Sequence, residues 1–223
     1  LNLKAIQELI EHFKQRLRNQ KLSDLDWLYE KQFQLQDYPI LNADNIQPYL
    51  EILFTSDRTQ RYWKSETLRS AELMTSMVKF DAEMVGTAFR DLFDEARDLE
   101  GRMDRFKFYL DEIIARMRKK DKSFLESWHH QDNAIISYYL IMAYPCTYSY
   151  YTRPIHEHAV TYLGAKALQS SEDPVRYQKM VKILATIASN DEALKVLHAS
   201  RFQKPIAPGS RLLIYEMLQC LPI

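Results

Sequence analysis

Through nearly the whole of this sequence the apolar residues return at steps of three and four, separated by short polar breaks that carry aspartate, asparagine or proline where a helix would begin. Such a chain closes its backbone hydrogen bonds inside helices and offers little to a sheet, whose strands need apolar residues at steps of two. Four glycines in 223 residues, with abundant Leu, Met, Glu, Lys and Arg, push the same way. The expectation is an all-α fold, a single irregular or orthogonal bundle of about ten helices with little or no sheet.

The first segment places Ile6, Leu9, Ile10, Phe13 and Leu17 on one face. Ser23 with Asp24 and Asp26 gives the second a cap and an acidic first turn, and Tyr38-Pro39 ends it. Asp44 and Asn45 precede a short helix through Ile46, Leu50, Leu53 and Phe54, and Thr55 to Trp63 reads as a polar connection. Ser65 opens a segment through Leu68, Leu73, Met77 and Val78, Asp81 caps the next, and Asp98 starts a longer one whose last turn, Arg116 to Lys120, complements the helix dipole. Asp173 followed by Pro174 is a strong start signal, Asn190 and Asp191 break and restart the chain, and Lys204 to Gly209 is a loop before a final helix, Arg211 to Leu221. No repeat or flexible linker divides these segments, so one domain over 1–223 is the simplest count, with residues 1–60 as its N-terminal helices and 65–223 as the remainder.

Thirty basic and thirty acidic side chains cancel, leaving no global field to draw the chain onto nucleic acid or anionic lipid. Any such contact must be local. No apolar run approaches the roughly 20 residues that span a bilayer, and Leu1 to Arg18 is amphipathic, unlike a signal peptide. A soluble cytoplasmic protein without membrane contact is expected. Cys146 and Cys220 are too few for a disulfide framework and read as reduced, buried thiols. Phosphate-loop, dinucleotide, nucleophile-elbow and zinc-hydrolase signatures are missing from the sequence. Asp91, Asp94 and Glu95 lie beside Arg90 and Arg97 and read as intrahelical ion pairs rather than an acid/base site. No catalytic, cofactor-binding or metal-ligating residue is assigned.

The densest chemistry lies in Asn133 to Gly164, which holds seven of the fourteen tyrosines, two of the six histidines and Cys146. Ile135, Ile136, Tyr139, Leu140 and Ala143 form an apolar face that Pro145 stops, and Gly164 suits a left-handed cap after a short helix begun at Pro154. In the intervening Thr-Tyr-Ser-Tyr-Tyr, extended backbone would set Tyr148 and Tyr150 against Ser149 and Tyr151. Two readings follow: an aromatic platform that stacks a base or docks a partner, or rings packed between helices with their hydroxyls at the surface. His156 and His158 around Glu157 diverge at a spacing of two, as no helical metal site can, and His129-His130 with Asp132 matches no ligand spacing. His12 and His198 are lone helical histidines of the surface or satisfied-core kind. Arg116, Arg118, Lys119, Lys120 and Lys122 suit either phosphate contact or a solvated helix end.

Two blocks carry a family resemblance. Phe89 to Phe106, FRDLFDEARDLEGRMDRF, and the stretch IISYYLIMAYPCTYSYYTRPIHEHAVTYLG resemble the region ahead of the motor module in McrB-like AAA+ NTPases of modified-DNA restriction systems. The tail EALKVLHASRF, a Pro-rich loop and RLLIYEML is similar to the segment that leads into the motor, so the resemblance runs from about Ser65 to Met217. Thr152-Arg153 stands where that family's turn carries a lysine, leaving Arg153 as the cation there. The resemblance implies a fragment of a longer chain, a non-catalytic accessory domain needing no cofactor of its own, with nucleotide chemistry beyond Ile223 or in another chain. Implied partners are DNA, the AAA+ motor in cis or trans, an endonuclease subunit and further copies in an oligomer. The expected working surface is the face around Tyr148, Tyr150, Tyr151, Arg153 and His156, with Arg116, Arg118, Lys119 and Lys120 as a phosphate-contacting edge. The alternative is a protein-interaction module that never touches nucleic acid.

Overall fold

A computed structural model of the chain describes residues 1–19, 25–35, 38, 44–54, 70–122, 132–166, 172–202 and 209–221. These residues form ten helices and no strand, so the fold is all-α as the periodicity requires. In chain order they are α1 (Leu3–Arg18), α2 (Asp26–Leu35), α3 (Ile46–Phe54), α4 (Ser70–Phe93), α5 (Leu99–Lys120), α6 (Asn133–Ala143), α7 (Arg153–Tyr162), α8 (Pro174–Ala188), α9 (Glu192–Ala199) and α10 (Leu212–Gln219). Among the described residues no helix is long and apolar enough to cross a membrane. The starts expected at Ser23, Asp24 and Ser65, the connection Thr55–Trp63, Pro39, the pair His129-His130 and most of the loop before Gly209 lie outside the described residues.

The helices gather into two compact units, one continuous (Asp37–Ala143) and one split between Leu1–Gln36 and Tyr144–Ile223. In the continuous unit α4 and α5 lie against each other, and α3 and α6 pack on α4. Asp81 leaves helical geometry inside α4 (φ −156°, ψ 79°), and its Oδ1 accepts from Met84 N–H at 3.0 Å. The predicted cap is therefore real, but it caps the second half of one kinked helix. Asp98 caps α5 by accepting from Gly101 N–H at 2.8 Å. Phe89, Phe106 and Tyr139 meet edge-on or tilted, with centroids 5.0–5.8 Å apart, at the centre of this unit. The single apolar face expected of α6 proves too narrow: every residue from Ile135 to Met142 is buried, so the helix is enclosed all round. Tyr138 carries its hydroxyl inside by donating to the Leu53 carbonyl at 2.9 Å.

In the split unit α1 buries Ile6, Leu9, Ile10, Phe13 and Leu17, the five residues its spacing selects, in contact with α9 and α10. Asn2 caps α1 through Oδ1, accepting from Lys4 N–H at 3.0 Å, while its own N–H donates to the Leu163 carbonyl at 2.8 Å. Beyond α7, Gly164 adopts φ +61° and Ala165 N–H returns to the Val160 carbonyl at 2.9 Å, the left-handed ending anticipated for this glycine. Asp173 caps α8, accepting from Arg176 N–H at 2.8 Å, and Asp191 caps α9, accepting from Leu194 N–H at 2.9 Å. Burying each large apolar side chain in these cores contributes ~1.5–3 kcal/mol.

Candidate functional site

The boundary between the units falls inside the Tyr-rich stretch, after Ala143. Tyr138 and Tyr139 thus belong to the core of the continuous unit, while the turn and α7 belong to the split one. Burial holds the Tyr139 phenol protonated far above its usual range.

The turn itself is an interior strap. Gln178 of α8 grips both backbone groups of Ser149, accepting from its N–H at 2.9 Å and donating to its carbonyl at 2.7 Å. Ser149 Oγ donates to the Arg211 carbonyl at 2.9 Å, Arg211 N–H donates to the Pro145 carbonyl at 2.8 Å, and the Arg211 side chain reaches the Thr147 carbonyl. Tyr177 donates its hydroxyl to the Tyr150 carbonyl at 2.8 Å. Tyr148 and Tyr151 are buried, and Tyr150 is half-buried with its ring edge-on to Tyr215 at 5.0 Å. Desolvation, ahead of Glu172, pushes the Tyr151 phenol up to about 12.

The aromatic platform expected here is consequently not at the surface. Its rings pack among the helices because Gln178, Tyr177 and Arg211 hold the backbone of the strap against them. His156, expected at the working face, is only 1% exposed and lies between the Tyr151 and Tyr177 rings at 5.8 and 5.3 Å. Neither of its ring nitrogens has a hydrogen-bond partner among the described residues, and burial lowers its pKa. Arg153 is exposed, paired with Glu157 at 2.8 Å. His158 is half-buried, and among the described residues no group of three or more His, Cys, Asp or Glu could hold a metal ion. Cys146, expected buried, is exposed; Cys220 is buried, and neither is in a disulfide.

The predicted basic edge is exposed and belongs to the continuous unit. Arg116, Arg118, Lys119, Lys120 and Lys122 all face solvent at the end of α5. Arg116 bonds Asp81 at 2.7 Å, and Arg116 and Lys120 both lie over the Phe80 ring, 5.5 and 5.6 Å from its centroid. The two candidate clusters of the sequence are therefore carried by different units. Asp91, read as an intrahelical partner, also bonds Arg105 of α5 at 3.2 Å, so its ion pairs are partly tertiary.

A third cluster escaped the sequence reading. Glu216, 1% exposed on α10, receives both arms of Arg201, Nη1 to Oε2 at 2.9 Å and Nη2 to Oε1 at 2.8 Å. Tyr29 of α2 donates to Glu216 Oε2 at 2.8 Å, and His198 Nε2 of α9 lies 3.0 Å from the Tyr29 oxygen and 3.3 Å from Glu216. Asp26 completes the group at 2.5 Å from Arg201, whose guanidinium also stacks over Phe202. A forked cation held bidentately answers both carboxylate oxygens where water is excluded. Burial, and then the Glu216 charge, hold the Tyr29 phenol protonated well above its usual range. The available signal was one acid in the otherwise apolar Leu212–Gln219 helix, a residue type almost never buried without a partner.

Beside this network lies a cleft of about 390 Å3 between α8, α9 and the start of α10, with His198 on its wall. No known protein-family model, curated protein or solved structure matches the chain.

Proposed function

We propose that this chain is a non-catalytic helical accessory domain of a McrB-like AAA+ restriction or defence NTPase, and that it meets DNA through phosphates at the C-terminal end of α5. The observation that supports this reading is the exposed cation group there, two of whose members are held in place over Phe80. Side chains already fixed by an aromatic ring lose less freedom when a phosphate arrives. With the tyrosines of the turn serving the core, base stacking has no platform on that strap, so affinity would rest on charge.

Three to four neutralised phosphates give an affinity that falls about 40- to 150-fold between 50 and 200 mM salt. Fluorescence anisotropy with modified and plain duplexes at those two salt concentrations tests this. Arg118→Glu with Lys119→Glu should abolish binding, and no binding of either duplex at low salt would sink the DNA reading. A second reading, docking of a motor or nuclease subunit, draws on Phe108, which stands 59% exposed on α5. If that reading holds, neither duplex binds at low salt and Phe108→Asp weakens assembly with the motor or nuclease subunit.

A further inference from the structure

We infer that α5 is a pairing surface for a second copy of this chain, the two helices lying antiparallel about a two-fold axis level with Ile113. The helix carries two seams. Met103, Phe106, Leu110, Ile113 and Met117 form the buried one. On the other side Asp104, Phe108, Asp111, Ala115 and Arg118 recur at steps of four and three, the spacing at which helices interlock, and all five are exposed. Phe108, at 59% exposure, is the one large apolar side chain of this outer seam.

Charge specifies the occupant, because it is sorted along the exposed side of the helix: Asp104, Asp111 and Glu112 come first, and Arg118 and Lys119 follow in the last turn. The helix dipole accounts for cations at that end, but it gives no reason for Asp111 and Glu112 to stand past the midpoint. An antiparallel copy supplies one, since it sets the acidic stretch of each helix against the basic end of the other. With the axis level with Ile113, the Phe108 ring of one copy stands level with Arg118 and beside Lys119 of the other. Asp104 and Glu112, four residues to either side of Phe108, border that ring with acid, so an arriving cation meets an aromatic face and a carboxylate together. Ala115, the smallest residue of the seam, lies next to the axis, where the helices must approach most closely. The two-fold repeats every contact, so each copy gives and receives the same set. One aromatic anchor per copy makes this a transient contact, under about 1,200 Å2, rather than an obligate dimer.

Sedimentation equilibrium of the full chain, without DNA, from about 5 to 500 µM and at about 50 and 500 mM salt tests the pairing. A reversible monomer–dimer equilibrium is expected, weakened at least about threefold by the higher salt because exposed charges are screened. Phe108→Ala should weaken it about tenfold. Arg118→Glu with Lys119→Glu in one chain, and Asp104→Lys with Glu112→Lys in another, should each weaken self-association at least about tenfold. Mixed in equal amounts, those two chains should pair about as well as the wild type, because each then meets its opposite charge. All the altered side chains are exposed, so the variants keep their helical circular dichroism. A monomer throughout the concentration range at low salt, a dimer indifferent to charge reversal, or a mixture no tighter than its components would overturn the inference. A motor or nuclease subunit seated on Phe108 in place of a second copy would give the first of these results. The measurement contains no DNA, so its failure and that of the phosphate reading are told apart.

Discussion

Replacing Glu216 with glutamine keeps the side chain's volume and removes its charge. Among the described residues Arg201, whose side chain is 6% exposed, would then retain only Asp26, itself 47% exposed, as an anionic partner. Breaking a buried pair from one side costs ~3–5 kcal/mol, and the one acceptor oxygen that glutamine keeps recovers about 1 kcal/mol, so a net loss of ~3 kcal/mol is expected. In urea, where small proteins lose ~1–3 kcal/mol per molar, the midpoint should fall by roughly 1–3 M. With Trp63 and Trp128 changed to phenylalanine, tryptophan fluorescence reads the split unit through Trp27, and circular dichroism run alongside reports the whole chain. The counterpart is Glu216→Leu with Arg201→Met, which exchanges the pair for apolar groups and should be less destabilised than either single change. A loss under about 1 kcal/mol for Glu216→Gln, or a double variant weaker than both singles, would refute the view that a desolvated charge pair joins α2, α9 and α10.

His156→Phe keeps the contacts with Tyr151 and Tyr177 and removes two unsatisfied nitrogens, so it should stabilise the protein by ~1 kcal/mol at neutral pH. Because burial lowers the His156 pKa, the unfolded chain binds the proton first; wild-type stability, complete above about 6.5, falls as pH drops through that value toward the lower folded one. Asp173 and Glu157 soften this trend and Arg176 adds to it. Melting curves at pH 7.5 and 5.5 should show the Phe variant's advantage growing on acidification, and parallel profiles would contradict the reasoning. Gln178→Leu leaves both backbone groups of Ser149 unanswered and should cost ~2–4 kcal/mol by urea unfolding, as befits a strap held from α8. Asp81→Ala removes the cap inside α4, worth ~1 kcal/mol, and also the acid beside Arg116; thermal unfolding should fall while low-salt DNA affinity, if the α5 edge is the contact, rises.

Local rules were readable wherever a residue closes the backbone beside it: Asp81, Asp98, Asp173 and Asp191 through their carboxylates, and Gly164 through its left-handed φ, each do what their position in the sequence announces. The inward face of α1 was equally legible, since one helix against a core needs only its own period. Burial of the strap was not. An alternating segment states which residues share a side, but whether either side meets solvent depends on Gln178 and Arg211, both distant in sequence. The same holds for Tyr29, Asp26, His198, Arg201 and Glu216, which meet across up to 190 residues and share no spacing a motif could record. Read one at a time, each is an ordinary helical residue.

The division of one unit between two distant parts of the chain has a consequence on the ribosome. α1 and α2 emerge early with their apolar faces complete, yet α9 and α10, against which α1 closes, follow only after all of Asp37–Ala143. At about 5–20 residues per second that interval lasts on the order of ten seconds. The continuous unit can fold during the wait, and compacting that stretch shortens the effective loop that α1 must close. A variant that slows the continuous unit should therefore lower the yield of the other unit without touching a residue in it, an effect that equilibrium unfolding would not register.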